Sequence, residues 1–172
     1  MSALRTVAEL MELAARTAPK TRGQDYIVTR ILLGKDLSVL ADRMAQVAGR
    51  TGRQFMIRDS KNVIDSEVVV LIGLKDAANG NLDCGACGQA RCSQLEINSF
   101  DGEFSGPQCA FRLIDLGIAI GSAVKTASSL NADNRVMYTV GMAAREAGLI
   151  DADVVGGIPL SATGKSLYYD RK

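Results

Sequence analysis

The chain has 172 residues, 47% of them hydrophobic, with 20 basic against 19 acidic residues and a formal net charge of +1. That apolar content suffices for one core, and the charge balance leaves no electrostatic footprint for nucleic acid or anionic lipid. Histidine is absent, which excludes Ser-His-Asp and Cys-His catalysis, His-ligated metals, Rieske-type clusters and His-ligated haem.

Leu4, Val7, Ala8, Met11 and Ala15 fall on one face of a helix over residues 3–17, and Pro19 stops it. Glu9 and Glu12 interrupt the apolar run, so this segment reads as an amphipathic helix and not as a secretory leader. A loop follows with Lys20 and Arg22 beside Gly23. Residues 26–33 are β-branched and apolar, a strand ended by Gly34. Leu37, Leu40, Ala41, Met44, Val47 and Ala48 define a second amphipathic helix. A short strand is expected over 54–58. The continuous apolar run at 67–74 predicts a strand buried on both faces.

From 75 to 108 the composition turns to Gly, Asn, Asp and Ser. A connection of that length needs something to order it. A long helix is expected over 110–130, with Gly117 and Gly121 one turn apart. Close backbone approach there suits a buried central helix or a homodimer seam. Asn131 suits the helix end, and Asp133 suits the N-cap of a helix over 134–147 closed by Gly148. A last strand at 153–158 precedes a polar tail. The longest apolar stretch, 116–124, is too short to cross a bilayer. The expectation is a single cytoplasmic domain over 1–172, with 76–109 as an inserted loop.

All four cysteines lie in that loop, spaced C-x2-C-x4-C-x16-C: Cys84, Cys87, Cys92 and Cys109. Four thiolates on a glycine-rich loop suit one [4Fe-4S] cluster, with Gly85 and Gly88 freeing backbone N–H groups to face its sulfurs. The fourth thiolate opens a helix, whose positive end favours an anionic group. Structural zinc stays open, although it usually takes paired C-x2-C knuckles. So do a thioredoxin-like dithiol and a plant-type [2Fe-2S] centre, whose gaps run in the opposite order. Ser161-Ala-Thr-Gly-Lys-Ser166 has only the back half of a P-loop, because Pro159 stands where the first glycine belongs.

The CGACG opening at 84–88 resembles the cluster domain of the corrinoid iron–sulfur protein. Together with AARTAPKTRGQDYI at 14–27, VVLIGLKD at 69–76, LIDLGIAIGSAVKTAS at 113–128 and GIPLSATGKS at 157–166, it makes the whole chain resemble a family of prokaryotic proteins containing a ferredoxin domain. The order of elements also resembles nitroreductase-like flavoproteins, in which a loop after Ala-Pro contacts FMN and a dimer interface buries it. That resemblance implies an α+β fold, a central mixed sheet flanked by helices, and a homodimer. It puts Lys20, Thr21, Arg22 and Gly23 near a flavin, with Arg16 and Lys165 as phosphate contacts. The arginine- and serine-bearing phosphate motif of that family is absent.

Two functions follow. One is an oxidoreductase dependent on FMN and a [4Fe-4S] cluster, passing electrons to a redox partner protein or a small acceptor. The other is a non-catalytic electron carrier or iron–sulfur accessory protein docking to a larger redox partner. Structural zinc is the third reading.

Overall fold

The structure is a computed structural model that describes residues 2–169. In chain order it runs α1 (Ala3–Thr17), a 3-10 turn (Thr21–Gly23), β1 (Ile27–Leu33), α2 (Lys35–Thr51), α3 (Phe55–Ile64) and β2 (Val68–Leu74). The long loop then holds a second 3-10 turn (Cys92–Gln94) and a small hairpin, β3 (Phe100–Asp101) with β4 (Ser105–Gly106). It delivers the chain to α4 (Ala110–Ser129), β5 (Asp133–Asn134), α5 (Tyr138–Glu146) and β6 (Val154–Ser161).

The main sheet has the order β1-β2-β6-β5, and every neighbouring pair is antiparallel. This corrects the expected mixed sheet, and the cause lies in a second correction. Residues 54–58 are not a strand, for Phe55 begins a helix whose buried positions Met56, Asp59, Ser60 and Val63 keep helical spacing. Two helices between β1 and β2, where one was expected, return the chain antiparallel.

Each face of the sheet carries its own layer. Val68, Val70, Ile72, Leu74, Ile158 and Leu160 pack with α1 and α4. Val69, Leu71 and Val155 meet α2, α3 and α5 on the other side. All seven residues of β2 are buried, as expected of a central strand. Helix α5 lies close on β6: a Cβ at Gly141 would stand 2.0 Å from the Val155 carbonyl oxygen, and one at Gly157 2.2 Å from Val140.

Helix α4 ends as expected, with Asn131 left-handed (φ 57°) and the Ala132 N–H reaching back to the Ala127 carbonyl at 3.0 Å. Asp133 is no N-cap. It pairs with Ser161 in β5, so α5 starts at Tyr138 rather than 134. Gly117 and Gly121 face outward, with nothing within 4 Å of a Cβ at either, so they do not seat α4 within this chain. No helix among the described residues is long and apolar enough to cross a membrane.

Candidate functional site

Three elements end together at one end of the sheet. The pairings Ile27–Leu74 and Leu74–Val154 bring the start of β1, the end of β2 and the start of β6 side by side. The cysteine loop leaves from this end. Its first fixed point is Asp76, whose N–H donates to Asp153 Oδ2 at 2.8 Å. Asn79 then donates to the Cys92 carbonyl at 3.2 Å.

Asp83 closes a ring around the first two cysteines. Its carboxylate accepts the Cys92 N–H at 2.6 Å, while its own N–H points at the Cys92 sulfur at 3.4 Å. Cys84 and Cys87 sit inside that ring. Gly85 and Gly88 are left-handed there (φ 75° and 84°), a backbone conformation that side chains resist. Cys109 stands at the N-cap position of α4 and is 5% exposed. Cys92 is buried, Cys87 half-buried and Cys84 exposed, and all four are free thiols. Beside Cys109, Gln108 Oε1 is buried without a partner. Cys84, Cys87 and Cys92 lie within one loop and Cys109 opens α4; among the described residues, no three His, Cys, Asp or Glu side chains could hold a single metal ion.

Behind the loop stands Arg112, the largest of the fully buried side chains. Its Nε donates to the Ala78 carbonyl at 2.8 Å and its Nη1 to the Thr21 carbonyl at 3.0 Å. Nη2 donates to Gln24 Oε1 at 2.5 Å, and Asp115 Oδ2 lies 3.3 Å from Nη1. The ring of Tyr26 covers the guanidinium, 4.7 Å from its carbon. The other oxygen of Asp115 accepts both the N–H and the hydroxyl of Thr21, each at 2.8 Å. One arginine therefore ties α4 to the mouth of the cysteine loop and to the loop after α1. The i,i+3 spacing of Arg112 and Asp115, at which opposite charges pair on a helix, is the one sign of this network that the sequence carries. Nothing in the sequence pointed to Gln24, Asn79 or Asp83.

The residues singled out for a flavin are engaged elsewhere. Lys20 turns back on α1 and donates to the carbonyls of Ala15, Arg16 and Ala18 at 2.7 to 2.8 Å, as a cation at a helix C-terminus should. Burial pushes its pKa below the ordinary 10.5, with Asp25 opposing. Arg16 pairs with Asp25 at 2.5 Å. Burial by itself raises the Asp25 carboxyl, but the Arg16 and Ile27 hydrogen bonds and the nearby cations hold it below 3.8. Thr21 is bound to Asp115, Arg22 donates to the Gly80 carbonyl at 3.2 Å, and Gly23 is left-handed at the close of the 3-10 turn.

Lys165 is exposed, in the tail after β6. It lies at the other end of the sheet from Lys20, separated by the length of β2, about 20 Å at roughly 3.4 Å per residue. There Tyr168 anchors the tail, its hydroxyl 2.8 Å from Ser66 Oγ. Burial pushes the Tyr168 phenol up to about 12. A groove of about 520 Å³ between α1 and α4, lined by Leu10, Leu13, Ser122, Lys125 and Leu130, includes none of the candidate residues.

Residues 105–171 match a family described as "Uncharacterized protein containing a ferredoxin domain (DUF2148)", a span that includes Cys109 but not the other three cysteines. An uncharacterized protein of Archaeoglobus fulgidus is 46% identical over 169 residues, covering 98% of this chain and 91% of that protein. Among solved structures, a nitroreductase-like family protein from Bacillus cereus superposes with a TM-score of 0.61 at 8% identity, over 96% of this chain and 78% of the other. The FMN-dependent nitroreductase NfnB from Mycobacterium smegmatis gives 0.61 at 9% identity, over 97% of this chain and 82% of that one. A BluB-like flavoprotein from Clostridium difficile gives 0.57 at 16% identity, over 100% and 87%. At such identities the likeness speaks for the fold alone. The chain belongs to the family of proteins containing a ferredoxin domain, built on an α+β fold like that of the nitroreductases.

Proposed function

We propose that this chain is an iron–sulfur redox protein in which Cys84, Cys87, Cys92 and Cys109 hold one [4Fe-4S] cluster. The observation that carries this reading is the ring closed by Asp83 and Cys92. It confines two more free thiols and already aims a backbone N–H at a cysteine sulfur. N–H donation to ligating sulfur tunes such centres, and the positive end of α4 at Cys109 suits an anionic group. When bound, the cluster supplies one-electron chemistry. The exposed edge at Cys84, with Leu82 two residues before it also exposed, gives a redox partner protein or a small acceptor its point of approach. Free thiols of this kind fit the reducing cytoplasm.

Protein purified without oxygen should contain iron and acid-labile sulfide in equal amounts. It should give a cluster EPR signal after reduction with dithionite. A colourless protein with one zinc per chain overturns the proposal.

The fold likeness to an FMN-dependent nitroreductase supports a second, enzymatic version. Within one chain, the loop after α1 and Lys165 follow opposite ends of the sheet. The version that keeps both is a site between two copies. The outward face of α4, with Leu113, Ile114, Gly117, Ile118 and Gly121, is the surface a second copy would cover. FMN titrated into cluster-loaded protein should bind several-fold more weakly to Lys165→Ala than to wild type. Absence of FMN binding leaves the electron-carrier reading alone.

A further inference from the structure

An arginine without solvent exposure is an expensive core residue. Burying an ion pair rarely stabilises a fold beyond what apolar side chains of equal volume would do. Here the pair is also built with a fixed polarity. Arg112 follows Cys109 by less than one turn of α4, and its N–H donates to the Cys109 carbonyl at 2.9 Å. Asp115 lies one further turn down the helix. The Ala78 carbonyl that receives Arg112 Nε adjoins Asn79, which holds the Cys92 carbonyl. Both members of the pair touch Thr21, Arg112 at its carbonyl and Asp115 at its N–H and hydroxyl, but Arg112 stands one turn nearer Cys109 along α4 and it is Arg112 that reaches the cysteine loop, at Ala78.

Resting on the iron–sulfur reading above, we propose that Arg112 and Asp115 form a locked ion pair that sets the reduction potential of the cluster, with Arg112 as the positioning residue. One electron entering from a donor adds one negative charge at the cysteines, with no bond made or broken. A guanidinium held by Ala78, Thr21, Gln24 and Tyr26 meets that charge without reorganising. Water is excluded around it, so salt does not screen the effect as it would at the surface. The pair acts in the same sense as the dipole of α4, whose positive end lies at Cys109.

The test is an anaerobic dithionite titration of the cluster-loaded full chain, followed by EPR, on wild type and three variants. Arg112→Met should move the midpoint to more negative potential, and Asp115→Asn should move it to more positive potential. Arg112→Lys, which keeps the charge, should stay nearer to wild type than Arg112→Met. Iron content and thermal unfolding are measured alongside. If Arg112→Met does not fold, an upward shift in Asp115→Asn still supports the proposal, and no shift there overturns it. Shifts of the same sign in Arg112→Met and Asp115→Asn overturn it, because a merely structural role perturbs both alike. So does failure of both variants to fold, which makes the network structural only. A wild-type chain that holds no iron overturns the iron–sulfur reading itself, a separate and visible result.

Discussion

Two loops meet at one end of the sheet, and they use their chemistry in opposite ways. The loop after α1 is dense in charge, yet each of Arg16, Lys20, Thr21 and Arg22 has a partner within the chain. The loop between β2 and α4 keeps four thiols free and orders itself around them with Asp83, Asn79 and left-handed glycines. Polar groups that are already paired hold a fold together. Reactive groups held in place but unpaired are available to a ligand. On the iron–sulfur reading proposed above, the difference makes the first loop architecture and the second a site.

Separate substitutions should split the two roles. The largest effect is expected from Cys109→Ser, which should remove most of the bound iron from protein purified without oxygen while urea unfolding shows the fold retained. Lys20→Met should do the reverse, because it strips three carbonyls of their charged donor. Hydrogen bonds to a charged group contribute about 1.5–3 kcal/mol, so urea unfolding should show a loss of that order with iron content unchanged. Equal loss of iron in Lys20→Met would erase the distinction.

Tyr168→Phe serves as a control at the far end of the sheet. Losing the Ser66 hydrogen bond should cost about 1 kcal/mol and leave iron untouched. Because the folded phenol titrates near 12 against 10.0 in the unfolded chain, stability should fall as pH rises between those values. The Phe variant should lack that alkaline loss. The smallest effect belongs to Asp25. Its folded pKa lies below 3.8, so its contribution is present above that value and is lost as pH falls through the folded pKa. Asp25→Asn should flatten the acid limb by less than about 1 kcal/mol, since the Arg16 pair is partly exposed.

Local periodicity made α1, α2, β2 and α4 legible in the sequence. Where it was short it misled. Residues 54–58 are too few to tell strand from helix, and the helical spacing emerges only on reaching Val63. That one error also hid the antiparallel sheet. The cysteine spacing marked the candidate loop because its members are close in sequence. Of the Arg112 network only the spacing to Asp115 showed, since Thr21 and Gln24 lie 91 and 88 residues from Arg112, and only folding brings them together. The basic loop drew attention by composition, which records charges but not their partners.

The 2.8 Å hydrogen bond from Arg112 to Ala78 also pins the two ends of the cysteine segment to each other. Between those ends, however, the later part of the segment is tied to the opposite layer: Phe104 packs against the core and meets the Tyr138 ring edge-on, and Arg145 holds Gly102, Asp101 and Ser105. The hydrogen bonds of Asn81, Asp83 and Arg91 stay within the loop. Doubling the length of a flexible loop between fixed ends costs only about 0.6 kcal/mol. Changes of length are therefore cheapest between Asn79 and Cys92, and costly across the hairpin that Arg145 grips.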